Sequence, residues 1–204
     1  ADDNLFLKYF RTNGNNSIFK RSEILGEISK QSKCIAVAGT HGKTTTTAII
    51  SHLFHSSGIH FKAFIGGIMK CFDSNYINTG NDYIIVEADE YDRSFLNLDP
   101  NYAVITSIEN DHLDVYGDFK SLTKSFQSFA NNVKDVLITE AKIDIDKDFS
   151  FSIKSDSDYY VNNIKILDNG IRFDLKTPNN LYSNIYANII GLHNLKNTLA
   201  ALSI

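Results

Sequence analysis

Short apolar runs alternate with stretches of helical periodicity through the central part of this chain. The runs at 35–38, 83–86, 102–105 and 136–138 are almost entirely apolar, which is typical of strands buried on both faces of a parallel sheet. Between them, apolar residues recur at three- and four-residue steps, most clearly from about Asp118 to Asn131. Strands and helices that alternate in this way predict an α/β fold, with a mostly parallel sheet covered by helices on both faces.

The two ends of the chain have different patterns. Near the amino end, Ser22 is a candidate N-cap for a short helix whose apolar face carries Ile24, Leu25 and Ile28. Towards the carboxyl end, the runs 164–167 and 171–175 flank an Asn-Gly turn, which predicts a β-hairpin. We expect this hairpin to belong to a small antiparallel sheet packed on the main one.

Composition narrows the classes of protein. Among 204 residues, 43% are hydrophobic and 22% are charged, as in ordinary globular domains, and the net charge is −4. No basic patch with interleaved aromatic residues indicates a nucleic-acid surface, and no apolar run approaches the roughly 20 residues of a membrane span. Two cysteines without metal-ligand spacing favour a reduced, cytoplasmic protein. Both ends look cut, so we expect a piece of a longer protein.

The string IAVAGTHGKTTTT has the layout of a phosphate-binding P-loop: a buried strand, a glycine turn, Lys-Thr and a helix. Glycines let backbone N–H groups surround an anion, and the helix N-terminus adds partial positive charge. Lys43 could then reach the β- and γ-phosphates of a nucleotide, and the Thr44 hydroxyl could bind Mg²⁺. Val37 departs from the general pattern, which has glycine at that position.

Two acidic clusters follow neighbouring apolar runs. Glu87 begins the string EADEYD after the run 83–86, and His112 lies in the string ENDHLD after the run 102–105. Ligands in open α/β sheets bind beyond the carboxyl ends of the strands, so we expect both clusters beside the P-loop. Glu87 is either a Mg²⁺ ligand or a solvated strand end. His112 alone is more readily structural, because Mg²⁺ prefers oxygen ligands.

Two other constellations carry little weight. His52 and His55 are three residues apart in a helical segment, but they have no third zinc ligand nearby. Ser94, His112 and Asp114 could suggest a hydrolase triad, but no nucleophile elbow accompanies them.

Four strings together resemble the Mur ligase family, and within it the alanine-adding branch. They are GTHGKTTT, the pair EADEYDRSFLNLDP and ITSIENDHLDVYG, and GLHNLKN, which matches the family pattern G-x-H-N-x-x-N. The resemblance covers about residues 20–204 and implies a three-layer fold similar to P-loop NTPases. Asn194 taken alone would be read as a plain helix N-cap.

The resemblance also implies site residues. Catalysis would rest on Lys43, Glu87 and His112, with one metal held by Thr44 and a second by Glu87 and His112. The ions would be Mg²⁺ at two sites, with Mn²⁺ as a possible substitute. ATP would contact a larger set of residues, namely Gly39, Thr40, His41, Gly42, Lys43, Thr44, Thr45, His193, Asn194 and Asn197.

The implied activity is ATP-dependent ligation of L-alanine to UDP-N-acetylmuramate through an acyl phosphate, a step of peptidoglycan synthesis. Two alternatives are a related ligase that attaches a whole tripeptide to the same sugar acid, and a nucleotide-binding module without ligase activity. Residues 1–30 would be the tail of a UDP-binding domain with its linker, and residues 31–204 the central ATP-binding domain. A carboxyl-terminal domain would be missing, and the isolated piece would then be inactive.

Overall fold

The computed structural model of this chain describes residues 4–12, 17–111, 113–154 and 157–204. The α-helices in these ranges are α1 (Leu5–Thr12), α2 (Arg21–Ser29), α3 (Lys43–Ser56), α4 (Leu113–Tyr116), α5 (Phe119–Asn131) and α6 (Leu192–Leu202). A 3-10 helix covers Tyr91–Asn97. None of the described helices is long and apolar enough to cross a membrane.

The strands are β1 (Lys33–Ala38), β2 (Phe61–Met69), β3 (Ser74–Asn78), β4 (Tyr83–Glu87), β5 (Tyr102–Ile105), β6 (Val136–Glu140), β7 (Phe149–Ser152), β8 (Tyr159–Leu167), β9 (Gly170–Lys176) and β10 (Leu181–Ala187). They form a ten-stranded sheet in the order β10-β9-β8-β7-β6-β5-β1-β4-β2-β3. From β2 to β8 every neighbouring pair is parallel. The predicted α/β class is therefore confirmed.

Antiparallel strands extend both edges of the parallel sheet. The predicted hairpin is present as β8 and β9, and β10 pairs antiparallel with β9. These strands continue the main sheet through the parallel pair β7–β8 instead of forming a separate sheet packed on it. That part of the prediction is wrong, because the sequence shows the hairpin turn but not which strand the hairpin will pair with.

Two apolar cores lie on opposite faces of the sheet. One core contains Ile50 of α3 together with Leu195 and Leu199 of α6. The other contains Phe126 and Phe129 of α5, with Phe129 stacked on Phe95 of the 3-10 helix at 5.0 Å. Helices therefore cover both faces, as predicted.

Helix α2 begins differently from the prediction. Its N-cap is Lys20 instead of Ser22, and the side chain of Glu23 accepts a hydrogen bond from the Lys20 backbone N–H at 2.6 Å. Strand β2 runs from Phe61 through two glycines to Met69. Cys34 is a buried free thiol and Cys71 an exposed one.

Candidate functional site

The loop between β1 and α3 has the backbone that a P-loop requires. Gly39 and Gly42 have φ values of +132° and +86°, which side-chain-bearing residues rarely adopt. A Cβ on Gly39 would lie 2.2 Å from the Thr106 hydroxyl oxygen, so β5 approaches the loop closely. Helix α3 begins at Lys43, and its first-turn N–H groups have no carbonyl partner four residues earlier within the helix. The predicted strand, glycine turn and helix are all present.

The carboxyl end of β5 holds this loop in place. The backbone N–H of Thr40 donates to the Ser107 carbonyl, and that of His41 donates to the Ser107 hydroxyl, both at 3.0 Å. The Thr106 hydroxyl donates to the His41 carbonyl, and the Glu109 N–H donates to the Thr40 hydroxyl at 3.1 Å. The loop conformation is thus bonded to a neighbouring strand before any ligand enters.

Lys43 is enclosed by the chain itself. Its ammonium donates to the Gly39 carbonyl at 2.7 Å and to both carboxylate oxygens of Glu90, at 2.7 and 3.0 Å. The Lys43 side chain is 14% exposed, and that of Glu90 is fully buried. Glu90 was not predicted from the sequence, because nothing in the acidic string shows which of its carboxylates is buried.

Tyr116 contacts the backbone of Glu90. The Tyr116 hydroxyl donates to the Glu90 carbonyl, and the Arg93 guanidinium lies 4.9 Å from the centre of the Tyr116 ring. Burial raises the pKa of Tyr116 above its ordinary value, so the hydroxyl keeps its proton, and its ability to donate, to higher pH than a free tyrosine does.

Thr44 and Glu87 meet as the sequence predicted. The Thr44 hydroxyl donates to Glu87 Oε1 at 2.7 Å, and the Gly66 backbone N–H donates to Oε2 at 2.6 Å. A Cβ on Gly66 would lie 2.7 Å from Oε2, so only glycine allows this approach. Parallel pairing of Val37 with Glu87 brings the end of β4 beside the P-loop.

This pair of oxygen ligands fits Mg²⁺. Mg²⁺ is commonly bound by one or two protein oxygens together with phosphate oxygens and water, and Thr44 and Glu87 would supply the protein oxygens. Among the described residues, no three His, Cys, Asp or Glu side chains cluster as a metal site. The other predicted ligand, His112, lies outside the described residues.

Helix α6 brings one of its three predicted residues to the loop. A Cβ on Gly42 would lie 2.4 Å from Asn197 Oδ1, so the Asn197 side chain lies against the P-loop. The Asn194 amide donates back to the Ile190 carbonyl at 2.8 Å, and the His193 ring lies beside Gly191. The N-cap of α6 is Gly191, which excludes the plain capping role for Asn194.

A cavity of about 360 Å³ lies between the ends of β5 and β6, beside the residues after β5 that bond to the P-loop. Its lining includes Ser107 and Glu109 after β5, Glu140 at the end of β6, Phe119 of α5 and Lys196 of α6. The cavity therefore lies at the same edge of the sheet as the P-loop, bounded on one side by α6.

Of the remaining constellations, the histidine pair forms no site in the described part of the chain, and the Ser94–His112–Asp114 set includes a residue outside that part. The His55 ring packs against Phe72 at 4.9 Å, edge to face, and no zinc-binding cluster forms around it. Ser94 lies in the 3-10 helix, where its carbonyl accepts a hydrogen bond from Asn97.

The family profile and a curated relative of this chain indicate the same protein family. The sequence profile of the Mur ligase middle domain matches residues 37–204. A curated UDP-N-acetylmuramate–L-alanine ligase from Christiangramia forsetii is 46% identical over 191 residues, which is 93% of this chain and 42% of the relative. The chain thus spans less than half the length of that relative.

Solved structures show the same fold. The UDP-N-acetylmuramate–alanine ligase from Thermotoga maritima has a TM-score of 0.78 at 26% identity, covering 89% of this chain and 42% of that one. The UDP-N-acetylmuramate:L-alanyl-γ-D-glutamyl-meso-diaminopimelate ligase from Neisseria meningitides has a TM-score of 0.83 at 20% identity. It covers all of this chain and 70% of that one, and at this identity the likeness concerns the fold alone.

Proposed function

This chain belongs to the Mur ligase family, and from this premise we propose that it is the ATP-binding part of a UDP-N-acetylmuramate–L-alanine ligase. The observation that carries the proposal is the hydrogen bond of 2.7 Å from the Thr44 hydroxyl to Glu87 Oε1. Thr44 directly follows Lys43, the enclosed lysine of the P-loop. The alanine-adding relative at 46% identity supports L-alanine as the amine substrate.

The proposed reaction has two transfers. A carboxylate oxygen of UDP-N-acetylmuramate attacks the γ-phosphorus of ATP, and the bond from that phosphorus to the bridging oxygen breaks, which gives an acyl phosphate and ADP. The amine nitrogen of L-alanine then attacks the acyl carbon, the amide bond forms, and phosphate leaves while the nitrogen loses a proton. The role of the protein is mainly positioning and neutralisation of charge.

Each part of the site has a task in this scheme. The backbone of residues 39–45 would surround the phosphates, with the Lys43 ammonium on the β- and γ-oxygens. Thr44 and Glu87 would hold one Mg²⁺, which supplies neutralisation of the transferring phosphoryl charge. We further propose that His112 joins Glu87 at a second metal position, where Mn²⁺ could replace Mg²⁺. His193, Asn194 and Asn197 would contact the adenine, and the neighbouring cavity has room for part of the nucleoside.

Other domains would complete the enzyme. We propose that residues 1–30 lead out of a UDP-binding domain, and that a further domain follows the central domain at 31–204. Acyl phosphates persist only where water is kept out, and domain closure is one way to exclude it. A reducing, cytoplasmic setting agrees with ATP as a substrate and with two free thiols.

The test is an ADP-release assay on the full-length protein. We expect ADP only when UDP-N-acetylmuramate and L-alanine are both present, and much slower release when glycine, L-serine or the tripeptide replaces L-alanine. Preference for the tripeptide would establish the related ligase that attaches a whole tripeptide instead. Nucleotide binding without ADP release for any acceptor would favour a binding module, and the Lys43→Ala variant provides the inactive baseline.

A further inference from the structure

The phosphate-binding lysine already has partners for all of its protons. An ammonium has three N–H donors, and those of Lys43 are directed at the Gly39 carbonyl and at the two carboxylate oxygens of Glu90. A nucleotide phosphate can therefore gain a contact with Lys43 only by replacing one of these acceptors.

The two kinds of acceptor differ in how readily they can be replaced. The Gly39 carbonyl is neutral, so an anionic phosphate oxygen competes well with it. The Glu90 carboxylate has no exposed surface, and a buried charge that loses its partner is strongly destabilising. Phosphate should thus replace Gly39 while Glu90 keeps its hold on the ammonium.

The backbone after Glu90 is built to keep it there. Two and three residues further on, Asp92 and Arg93 both have left-handed φ values, of 51° and 57°, which cost energy in residues other than glycine. The Arg93 N–H donates to the Glu90 carbonyl at 2.9 Å, and the Tyr116 hydroxyl donates to the same oxygen. These two hydrogen bonds to the Glu90 carbonyl hold the strained turn in place.

We infer that Glu90 is a positioning residue for phosphoryl transfer, which fixes the Lys43 ammonium above the P-loop while phosphate oxygens replace the Gly39 carbonyl. The inference rests on the proposed function. Because the Glu90 carboxylate is itself negative, Glu90 adds nothing to the ground-state attraction between Lys43 and the nucleotide. Its effect is largest in the transition state, where a correctly placed cation meets the developing charge.

The test compares three variants of the full-length protein by kcat, KM for ATP and thermal midpoint. Glu90→Gln keeps the shape and removes the charge, and Glu90→Asp keeps the charge on a shorter stem. Asp99→Asn is the matched control, because it breaks a lysine–carboxylate pair of 2.6 Å with Lys134 at the start of β5, at the opposite end of the strands.

For Glu90→Gln we expect kcat to fall by about 30- to 300-fold, with KM for ATP unchanged or up to about threefold lower, since a negative charge beside the phosphates is gone. Glu90→Asp should recover part of the lost kcat, and Asp99→Asn should stay within about twofold of the parent. A folded Glu90→Gln protein with near-parental kcat would overturn the inference. So would a raised KM with unchanged kcat, or a Glu90→Asp variant no faster than Glu90→Gln.

Failure of the proposed function would be recognised separately. If the parent protein ligates no acceptor, calorimetry with Mg-ADP still tests Glu90 on its own. Glu90→Gln should then bind Mg-ADP at least as tightly as the parent, while Lys43→Ala binds it far more weakly. Weaker binding by a folded Glu90→Gln protein would show that Glu90 supports nucleotide affinity, contrary to the role inferred for it.

Discussion

Replacing Gly39 with alanine should destabilise the fold through the P-loop itself. At φ +132° an L-residue is strained, which costs about 1–3 kcal/mol. The new Cβ would also lie 2.2 Å from the Thr106 hydroxyl oxygen and 2.9 Å from the Ser107 backbone nitrogen, and overpacking of this kind costs about 1–3 kcal/mol. The sum, about 2–6 kcal/mol, is a large share of the roughly 5–15 kcal/mol that stabilises a typical domain.

Gly58→Ala is the matched control for this prediction. Gly58 also has a positive φ, +68°, but apart from its own atoms and its two chain neighbours nothing in the described residues lies within 4 Å of the place that its Cβ would occupy, so only the backbone cost of about 1–2 kcal/mol remains. Urea unfolding of the 204-residue chain, followed by circular dichroism, would give both free energies if the m-values agree. Adding Thr106→Ala to Gly39→Ala removes one of the overlapping atoms. The double variant should therefore lose less unfolding free energy than the two single variants lose when their losses are added. Equal losses for the two glycine variants, within about 0.5 kcal/mol, would refute the close approach of β5 to the loop.

Three further predictions concern the nucleotide, the metal and pH. Lys43→Ala should remove measurable Mg-ATP binding in calorimetry, because this side chain binds the phosphates. It should also lower the free energy of unfolding, since Glu90 is left buried without its cation, so binding is measured at a temperature where the variant is folded. Glu87→Ala in the full-length protein should lower kcat far more than it changes KM for ATP, since the lost metal contact acts where charge develops. Burial raises the pKa of Cys34 from its usual 9.0 to about 12, so the unfolded thiol ionises first as pH rises. Between about pH 9 and 11 the parent should therefore lose up to about 1.4 kcal/mol of unfolding free energy per pH unit more than Cys34→Ala does.

Each of these measurements has an outcome that contradicts its premise. Unchanged nucleotide affinity in folded Lys43→Ala would remove the P-loop assignment. Near-parental turnover of Glu87→Ala would show a carboxylate that only ends a strand. Parallel pH dependences for the parent and Cys34→Ala above pH 9 would mean that the Cys34 thiol is not shielded from solvent. Cys71 is exposed in the same chain and provides an internal thiol for comparison.

Local patterns were sufficient for the parts of the site that depend on neighbours in sequence. The P-loop could be predicted because a buried strand, two glycines and a helix start follow one another directly, and each carries its own conformational preference. The meeting of Thr44 and Glu87 was predictable for a related reason. Glu87 is the last residue of a buried strand and Thr44 follows another, and parallel strands end at the same edge of a sheet.

The hairpin is an example in which the local sequence pattern predicts the turn but not the pairing of its strands with the rest of the sheet. Its turn was predicted from Asn169-Gly170, and β8 and β9 do pair around it. That β8 would also pair with β7, and so extend the main sheet, depends on a strand that was not predicted from the sequence. Sheet pairing joins residues far apart in the chain, and the alternation of side chains along a strand does not specify its partner.

By itself, the sequence determined the α/β class and the phosphate-binding loop, because these follow from short-range periodicity and from residues adjacent in the chain. The local pattern left Glu87 open between a metal ligand and a solvated strand end, and the family resemblance singled it out. Only the tertiary structure decided which acid of the string after β4 is enclosed: Asp89 is exposed, whereas Glu90 is buried against Lys43. The same holds for Asn197, which reaches Gly42 because α6 packs beside α3. Which side chain is buried, and which partner it contacts, depends on segments that are distant in the sequence and packed together in the fold. One local stretch of sequence therefore does not determine either property.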